Sequence, residues 1–315
     1  MISHRLLRNL LSLLVVLTCI SLPAQAFDQP VVNLGLTSFV DGGPPAGPGF
    51  YYAGYLQYYS ADRLVDHPLD QTANLDVLSY ANQFLYQSDQ PLLFGGKWGV
   101  DVILPIVNLN SDSTSVLITE TPTGLGDLLV GPYLQWDPIM GENGPVFMHR
   151  VELQMILPTG KYDQNKALNP GSNFFSFNPY WSGTWFIMPR WTASCRIHYL
   201  WNDKNKDPWT VGGLDKTQAG QAWHMNFASA YEVVEKKIRV GINGYYFRQI
   251  TDSKNTTTAG VTTSATGYEQ VLGVGPGAVF HFGQDNHLFC NLYFENNASY
   301  RPDGTRGILR WVHHF

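Results

Sequence analysis

The chemistry this sequence could do rests on ten ionisable residues: Asp101, Asp127, Arg150, Glu152, Arg196, His198, Arg239, Glu269, Glu295 and Arg310. No short motif gathers them. They lie in or beside stretches where apolar and polar residues alternate, on the polar side. Side chains two apart on a strand project to one face of the sheet, so these charges would meet inside any sheet that closed on itself. Opposed carboxylates and guanidiniums could then pair and lock the interior, or line a pore and set its selectivity. The sequence leaves both readings open.

No catalytic pattern accompanies them. The chain has no G-x-S-x-G elbow, no H-E-x-x-H pair and no phosphate loop. The run GVGPG, Gly273 to Gly277, sits inside an alternating stretch with no helix after it, where glycines serve curvature or close packing. His313 and His314 are adjacent, and adjacent strand residues point to opposite faces, so they form no shared metal site. A lipid-cleaving barrel would need a Ser and a His together at its outer face, and the outward His149 has no serine motif beside it. The expectation is no catalytic residue, no cofactor and no metal.

The elements that must position these side chains start after an export signal. Arg5 and Arg8 precede an apolar run from Leu10 to Leu22, and Ala24-Gln25-Ala26 offers a cleavage site before Phe27. The apolar run is too short to span a bilayer, which takes about 20 residues. Removing this segment shifts the formal net charge from −5 to −7, so nucleic acid is not an expected partner. It also removes Cys19 and leaves Cys195 and Cys290, both on apolar strand faces of non-neighbouring strands, with no disulfide expected. Charged residues make up only 14% of the chain and aromatics another 14%, and no later apolar run is long enough for a spanning helix. An exported chain of that composition is a secreted all-β domain or an outer-membrane barrel.

Twelve alternating segments follow, near 50–61, 74–87, 93–107, 124–137, 145–158, 173–187, 190–201, 220–233, 237–249, 267–282, 286–298 and 305–315. The connections decide between the two classes. SDQP, MPR, VEK and GQD are tight turns, and between them fall longer segments rich in Asp, Asn, Lys, Thr and Gly. Short and long connections alternate, which is the barrel rule of periplasmic turns and external loops. PIMGENG is long for a turn, and the last external loop, near SYRPDG, is short. The prediction is an all-β transmembrane antiparallel up-and-down barrel of about 12 strands, or 14 if residues 30–40 and one long loop hide two more, over residues 50–315 with both termini periplasmic. Trp98, Trp136, Trp185, Trp201, Trp223 and Tyr231 suit the aromatic belts at the membrane interfaces. The chain ends RWVHHF, with Leu309, Trp311 and Phe315 alternating to the last residue. Trp311 and Phe315 read as the closing-strand signal for barrel assembly machinery, with His313 departing from the usual apolar pattern.

GLGDLLVGPYLQW (Gly124 to Trp136), ELQMILPTGKYDQNKALNPGSNFFSFNPY (Glu152 to Tyr180) and PGFYYAGYLQYYSADRL (Pro48 to Leu64) resemble an outer-membrane family named after the meta-pathway of phenol degradation. The resemblance covers about residues 48–315. It implies a channel or passive transporter for small aromatic or hydrophobic compounds. Its partners would be outer-membrane lipid and lipopolysaccharide, the assembly machinery and the solute, with the barrel acting as a monomer. The alternatives are an adhesive or structural barrel without transport and, weaker, a lipid-modifying barrel enzyme. Twelve strands lie between the eight that side chains fill and the sixteen that leave an open channel, so a narrow, polar, wet lumen is expected. Residues 27–49 include DGGPPAGPG, which no regular element accommodates. They read either as a flexible periplasmic linker or as a plug entering the lumen from the periplasmic side.

Overall fold

The computed structural model describes residues 29–44, 46–66, 72–113, 115, 118–265 and 267–315. The expected signal peptide and its cleavage site lie outside the described residues.

Twelve strands form the wall. They are β1 (Gly49–Leu64), β2 (Asn74–Leu93), β3 (Gly96–Asp112), β4 in two pieces (Thr123–Leu125 and Leu128–Gln135), β5 in two pieces (Gly144–Glu152 and Met155–Leu157), and β6 in two pieces (Ser176–Phe177 and Tyr180–Met188). They continue with β7 (Trp191–Asn202), β8 (Ala222–Val234), β9 (Ile238–Gln249), β10 (Gln270–His281), β11 (Asn286–Ser299) and β12 (Pro302–His314). Each pairs antiparallel with its sequence neighbour, and β12 pairs with β1 from Tyr51↔His314 to Leu64↔Pro302. The sheet has no open edge. That is the condition for strands to cross hydrocarbon, because an unpaired backbone group there costs several kcal/mol. Residues 30–40 form no strand, and the wall closes at twelve.

The alternation read from the sequence sets the two faces. On β7, Thr192, Ser194, Arg196 and His198 are buried inside, whereas Ile197 and Tyr199 are exposed outside. On β5, Met148, Arg150, Glu152 and Gln154 face in. Trp98, Trp185 and Tyr231 lie exposed near the turn end of the wall, and Trp201 and Trp223 stand at the loop end. The long PIMGENG connection is an extension of the hairpin itself, with Ile139 opposite Phe147 and Gly141 opposite Gly144. Outside the wall, Leu214–Gln218, Ser253–Thr257 and Thr262–Ala265 make a small three-stranded sheet in the long loops.

The strands β4, β5 and β6 are each interrupted, which the periodicity did not forecast. The interruptions cluster around prolines, which have no backbone donor for a ladder. The amide of Gly126 reaches the carbonyl of Pro105, that of Leu153 reaches Pro132, and that of Tyr199 reaches Pro179. These bonds satisfy the bent backbone away from regular register.

The interior differs from the watery bore expected. Two apolar clusters fill much of it. One, toward the turns, holds Tyr51, Tyr55, Leu85, Tyr133, Phe289 and Val312 around Phe39. The other, toward the loops, holds Leu200, Tyr245, Phe247, Val271, Tyr293 and Ile308 around Val32 and Leu34. Counting inward charges alone missed the inward Tyr and Phe on the same faces. The segment ahead of β1 supplies Val32, Leu34 and Phe39, so its path runs through the barrel. Gln29 hydrogen-bonds the carbonyl of Gly220 at the loop end, and the same chain reaches Gly49 at the turn end. β1 starts and β12 ends at the turn end, as an even strand count requires, but the segment before β1 comes from the loop end.

Two glycines make room for this segment. Gly35 has φ +82°, and a Cβ there would lie 2.7 Å from the Tyr293 ring. Gly277 on β10 leaves space for Phe39, whose ring a Cβ would meet at 2.9 Å beside the amides of Asn243 and Asn291. Gly277→Val should therefore displace Phe39 while leaving the ladder intact. The expected result is a barrel that still shows heat-modifiable mobility in gels, with faster amide hydrogen exchange over residues 33–42. Unchanged exchange would contradict the packing described.

Candidate functional site

The interior side chains fall into a middle zone and two end vestibules. In the middle, the segment before β1 is held mostly by side chains from the wall. The amide of Gly35 donates to Asn226 Oδ1 at 2.9 Å, and Asn226 Nδ2 donates to Asn33 Oδ1 at 2.8 Å and Thr37 Oγ1 at 3.0 Å. The Tyr293 hydroxyl donates to the Gly35 carbonyl at 2.8 Å, and Arg306 donates to the Leu34 carbonyl at 3.0 Å. The Gly42 amide donates to Thr184 Oγ1 at 2.8 Å, and Gln135 Nε2 donates to the Gly42 carbonyl at 3.0 Å. The strongest tie is ionic. Arg196 on β7 grips Asp41 through Nε and Nη2, both at 2.7 Å, with both side chains over nine-tenths buried.

The structure sorts the ten sequence candidates into several roles. Arg196 is committed to Asp41. Glu295 accepts the hydroxyls of Tyr59 and Tyr245, each at 2.6 Å, and faces Arg306 at 3.6 Å. Glu269 faces Arg301 at 3.7 Å at the loop end, and Arg239 is paired with Glu232 at the turn end. Glu152 is bound by the Tyr180 hydroxyl at 2.6 Å, and Asp101 by the Gln83 amide at 2.7 Å. His198 stacks face to face on His224, with ring centroids 4.1 Å apart and planes 15° apart. Arg150 lies 4.0 Å over the Tyr133 ring and donates to Gln135, and Arg310 lies 3.8 Å over Phe289.

Asp127 is committed to a loop. Its carboxylate accepts the amides of Gly160, at 2.9 Å, and Ser172, at 2.8 Å, together with the Ser172 hydroxyl. Gly160 and Gly171 touch here, since a Cβ on Gly160 would lie 2.7 Å from the Gly171 Cα. Asn169 ties the same loop by accepting from the Asp163 amide and donating to the Asp163 and Lys166 carbonyls. This is the physical content of GLGD, PTGKYD and NPGSN: a carboxylate at a strand break folds the β5–β6 loop down onto β4. Asp127 sits in the break of β4, buried, and is spent on this loop.

Several interior residues escaped the sequence reading. Arg306 shares a face with Ile308 and Arg310, so the period of two could have found it. Asp41 could not be found that way, because it lies in a segment with no periodicity.

At the loop end, a cavity of about 230 Å³ is walled chiefly by Val32, Leu75, Val107, Leu168, Phe174 and Phe247. Tyr162 and Trp209 from the loops also border it. The Tyr162 hydroxyl donates to the Asp207 carbonyl at 3.0 Å, and burial pushes its pKa up, opposed in part by the Asn205 hydrogen bond. At the turn end, a second cavity of about 550 Å³ is bordered by Arg150, Arg310, Tyr51 and Phe289. Among the described residues no cluster of three or more metal-ligating side chains occurs.

Two outcomes test this geometry. Asp41→Ala leaves the Arg196 guanidinium buried without its carboxylate, which costs on the order of 3–5 kcal/mol. Urea unfolding from lipid vesicles should show that loss, and Asp41→Ala with Arg196→Met should recover most of it. Separately, Asp127→Ala should leave the barrel closed while limited proteolysis newly cuts within residues 158–175.

A family model described as "Putative MetA-pathway of phenol degradation" matches residues 58–311. No curated protein matches by sequence. Among solved structures, an outer membrane channel from Pseudomonas putida F1 superposes with a TM-score of 0.70 at 15% identity, covering 90% of this chain and 100% of that one. A deltaS2S3 mutant of the TodX monoaromatic hydrocarbon channel superposes with a TM-score of 0.50 at 8% identity, covering 93% of this chain and 99% of that one. At these identities the likeness establishes the fold.

Proposed function

We propose a passive transport function for this chain, which belongs to the family of the MetA-pathway of phenol degradation and forms a twelve-stranded outer-membrane barrel. The solute class is small, neutral and aromatic or otherwise hydrophobic. The observation that carries this reading is the contrast between the two possible routes. The straight route down the lumen is filled by the chain's own residues 29–48, through Phe39 and the Asp41–Arg196 pair. The loop-end cavity offers an apolar guest the aliphatic and aromatic side chains of Val32, Leu75, Val107, Leu168, Phe174 and Phe247, with Lys166, Glu269, Arg301 and Arg306 also on its border. Its volume accommodates a single aromatic ring.

The route we favour starts with capture in that cavity. Burial of apolar surface drives it, at roughly 25 cal/mol per Å² removed from water. A guest there lies beside the Leu168–Phe174 stretch of the β5–β6 loop, which Asp127 clamps to the break in β4. The neighbouring wall carries the proline-bordered interruptions of β4, β5 and β6, where the ladder is thinnest. Release sideways through that region delivers a hydrophobic solute to the membrane interior without moving the lumen segment. The similarity to a monoaromatic hydrocarbon channel supports the solute class. The aliphatic and aromatic lining of the cavity supports it independently.

The test is uptake. Vesicles containing the folded barrel should take up labelled toluene or phenol faster than empty vesicles. Phe174→Asp, which places a charge in the cavity wall, should reduce that rate several-fold without changing heat-modifiable mobility. Single-channel recording of the intact barrel should show little ion conductance, and deletion of residues 29–44 should open discrete steps. Equal uptake by empty and loaded vesicles would refute transport. Large open-channel currents from the intact chain would refute the filled lumen.

A further inference from the structure

We propose that the turn-end vestibule is a binding site for a small organic carboxylate, held by Arg310 and Arg150. This site lies at the opposite end of the barrel from the cavity assigned to neutral solutes, and it takes an anion.

The argument begins with the charges around the cavity. Its lining carries five cations, Arg150, Arg196, Lys236, Arg239 and Arg310, against three carboxylates, Asp41, Glu232 and Asp285. The carboxylates are already engaged: Asp41 with Arg196, Glu232 with Arg239, and Asp285 with His314 at 3.1 Å. Among the described residues, Arg150 and Arg310 have no carboxylate within the 4.0 Å at which those pairs form, although they are 5% and 8% exposed. The Arg310 Nε has no hydrogen-bond partner. A buried cation without a paired anion is costly by several kcal/mol. Two other acids of the interior, Asp101 and Glu152, act on Arg150 only from beyond ion-pair distance. Their hydrogen bonds come from the neutral donors Gln83 and Tyr180, and neither borders the cavity, so the demand of Arg310 for an anion is the stronger one.

What the two arginines do have is aromatic support. Arg310 lies over Phe289 at 3.8 Å and Arg150 over Tyr133 at 4.0 Å. Stacking of this kind fixes the plane of a guanidinium and leaves its edge free to meet an anion. A carboxylate takes two parallel hydrogen bonds from such an edge. The rest of the wall fixes the body of the ligand. Tyr51, Leu85, Phe289 and Val312 give it an apolar side, so the favoured guest is a monoanion with a hydrophobic ring or chain rather than an inorganic ion. The cavity, at about 550 Å³, has room for one aromatic acid with water.

The experiment is calorimetric titration of the folded full barrel in detergent with sodium benzoate, at fixed ionic strength. Benzyl alcohol serves as the uncharged counterpart and sodium phosphate as the inorganic anion. The expected result is saturable benzoate binding, no saturation with benzyl alcohol at the same concentrations, and phosphate competing only weakly. Arg310→Gln should weaken benzoate at least about tenfold, the scale of a lost charge-assisted hydrogen bond. Arg190→Gln, which removes an exposed turn charge paired with Glu235 outside the cavity, should leave it unchanged. Absence of saturable benzoate binding to the unmutated barrel would overturn the proposal. So would equal binding of benzyl alcohol, phosphate as tight as benzoate, or benzoate binding indifferent to both Arg310→Gln and Arg150→Gln. The comparison of three ligands on the unmutated chain needs no variant, so a misfolding mutant leaves the test intact. The assay involves no transport, so its failure is distinct from a failure of toluene uptake.

Discussion

The pairing of β12 with β1 is the contact on which everything else rests. In hydrocarbon no water stands ready for a free amide or carbonyl, so an open sheet edge is excluded. Twelve strands joined by hairpins bring the last strand beside the first, and the register from Tyr51↔His314 to Leu64↔Pro302 completes the ladder. Once the sheet is closed, its side chains have only two places to go. The outward set must be apolar, as Leu56, Tyr58, Ile197 and Leu309 are, and the inward set is left to make its own core.

That core follows rules unlike those of a soluble domain. The inward face carries arginines and carboxylates as well as Tyr and Phe, and burial there requires each charge to have an answer. The wall supplies part of the answer, as in Glu295 with Tyr59 and Tyr245. Residues 29–48 supply another part. Asp41 neutralises Arg196, and the carbonyls of Leu34 and Gly35 take donors from Arg306 and Tyr293. The segment is thus a structural component of the lumen, filling volume with Val32, Leu34 and Phe39 and satisfying groups that the wall leaves short.

How much of this could be read from sequence follows from where periodicity exists. The twelve wall segments were legible because lipid outside and a crowded interior impose a period of two on every strand, as in Thr192 to His198. The closing role of RWVHHF was legible for the same reason. The breaks in β4 to β6 were not, because a proline carbonyl accepting an irregular hydrogen bond leaves no mark on alternation. The partners of Asp127 were hidden for that reason: it stands where the strand pattern stops, and its bonds go to a loop with no periodicity. Asp41 was invisible because DGGPPAGPG has no face. Its partner is set by three-dimensional proximity to β7, 155 positions along the chain.

The way the lumen segment is held bears on how the barrel could work. Glycine and proline deny it a strand, so it adds no rung to the wall and its backbone is met one group at a time by side chains. A thirteenth strand could leave only by opening a ladder in lipid. A segment held by separate side-chain bonds can leave without disturbing the wall, because water in the vacated lumen can satisfy both partners. The chief resistance is then the buried Asp41–Arg196 pair and the apolar seat of Phe39, each of which must be rehydrated. Both contacts lie between the segment and the inward side chains, so loosening them leaves the backbone ladder of the wall closed. Sideways passage at the loop end and anion capture at the turn end therefore need not share a moving part.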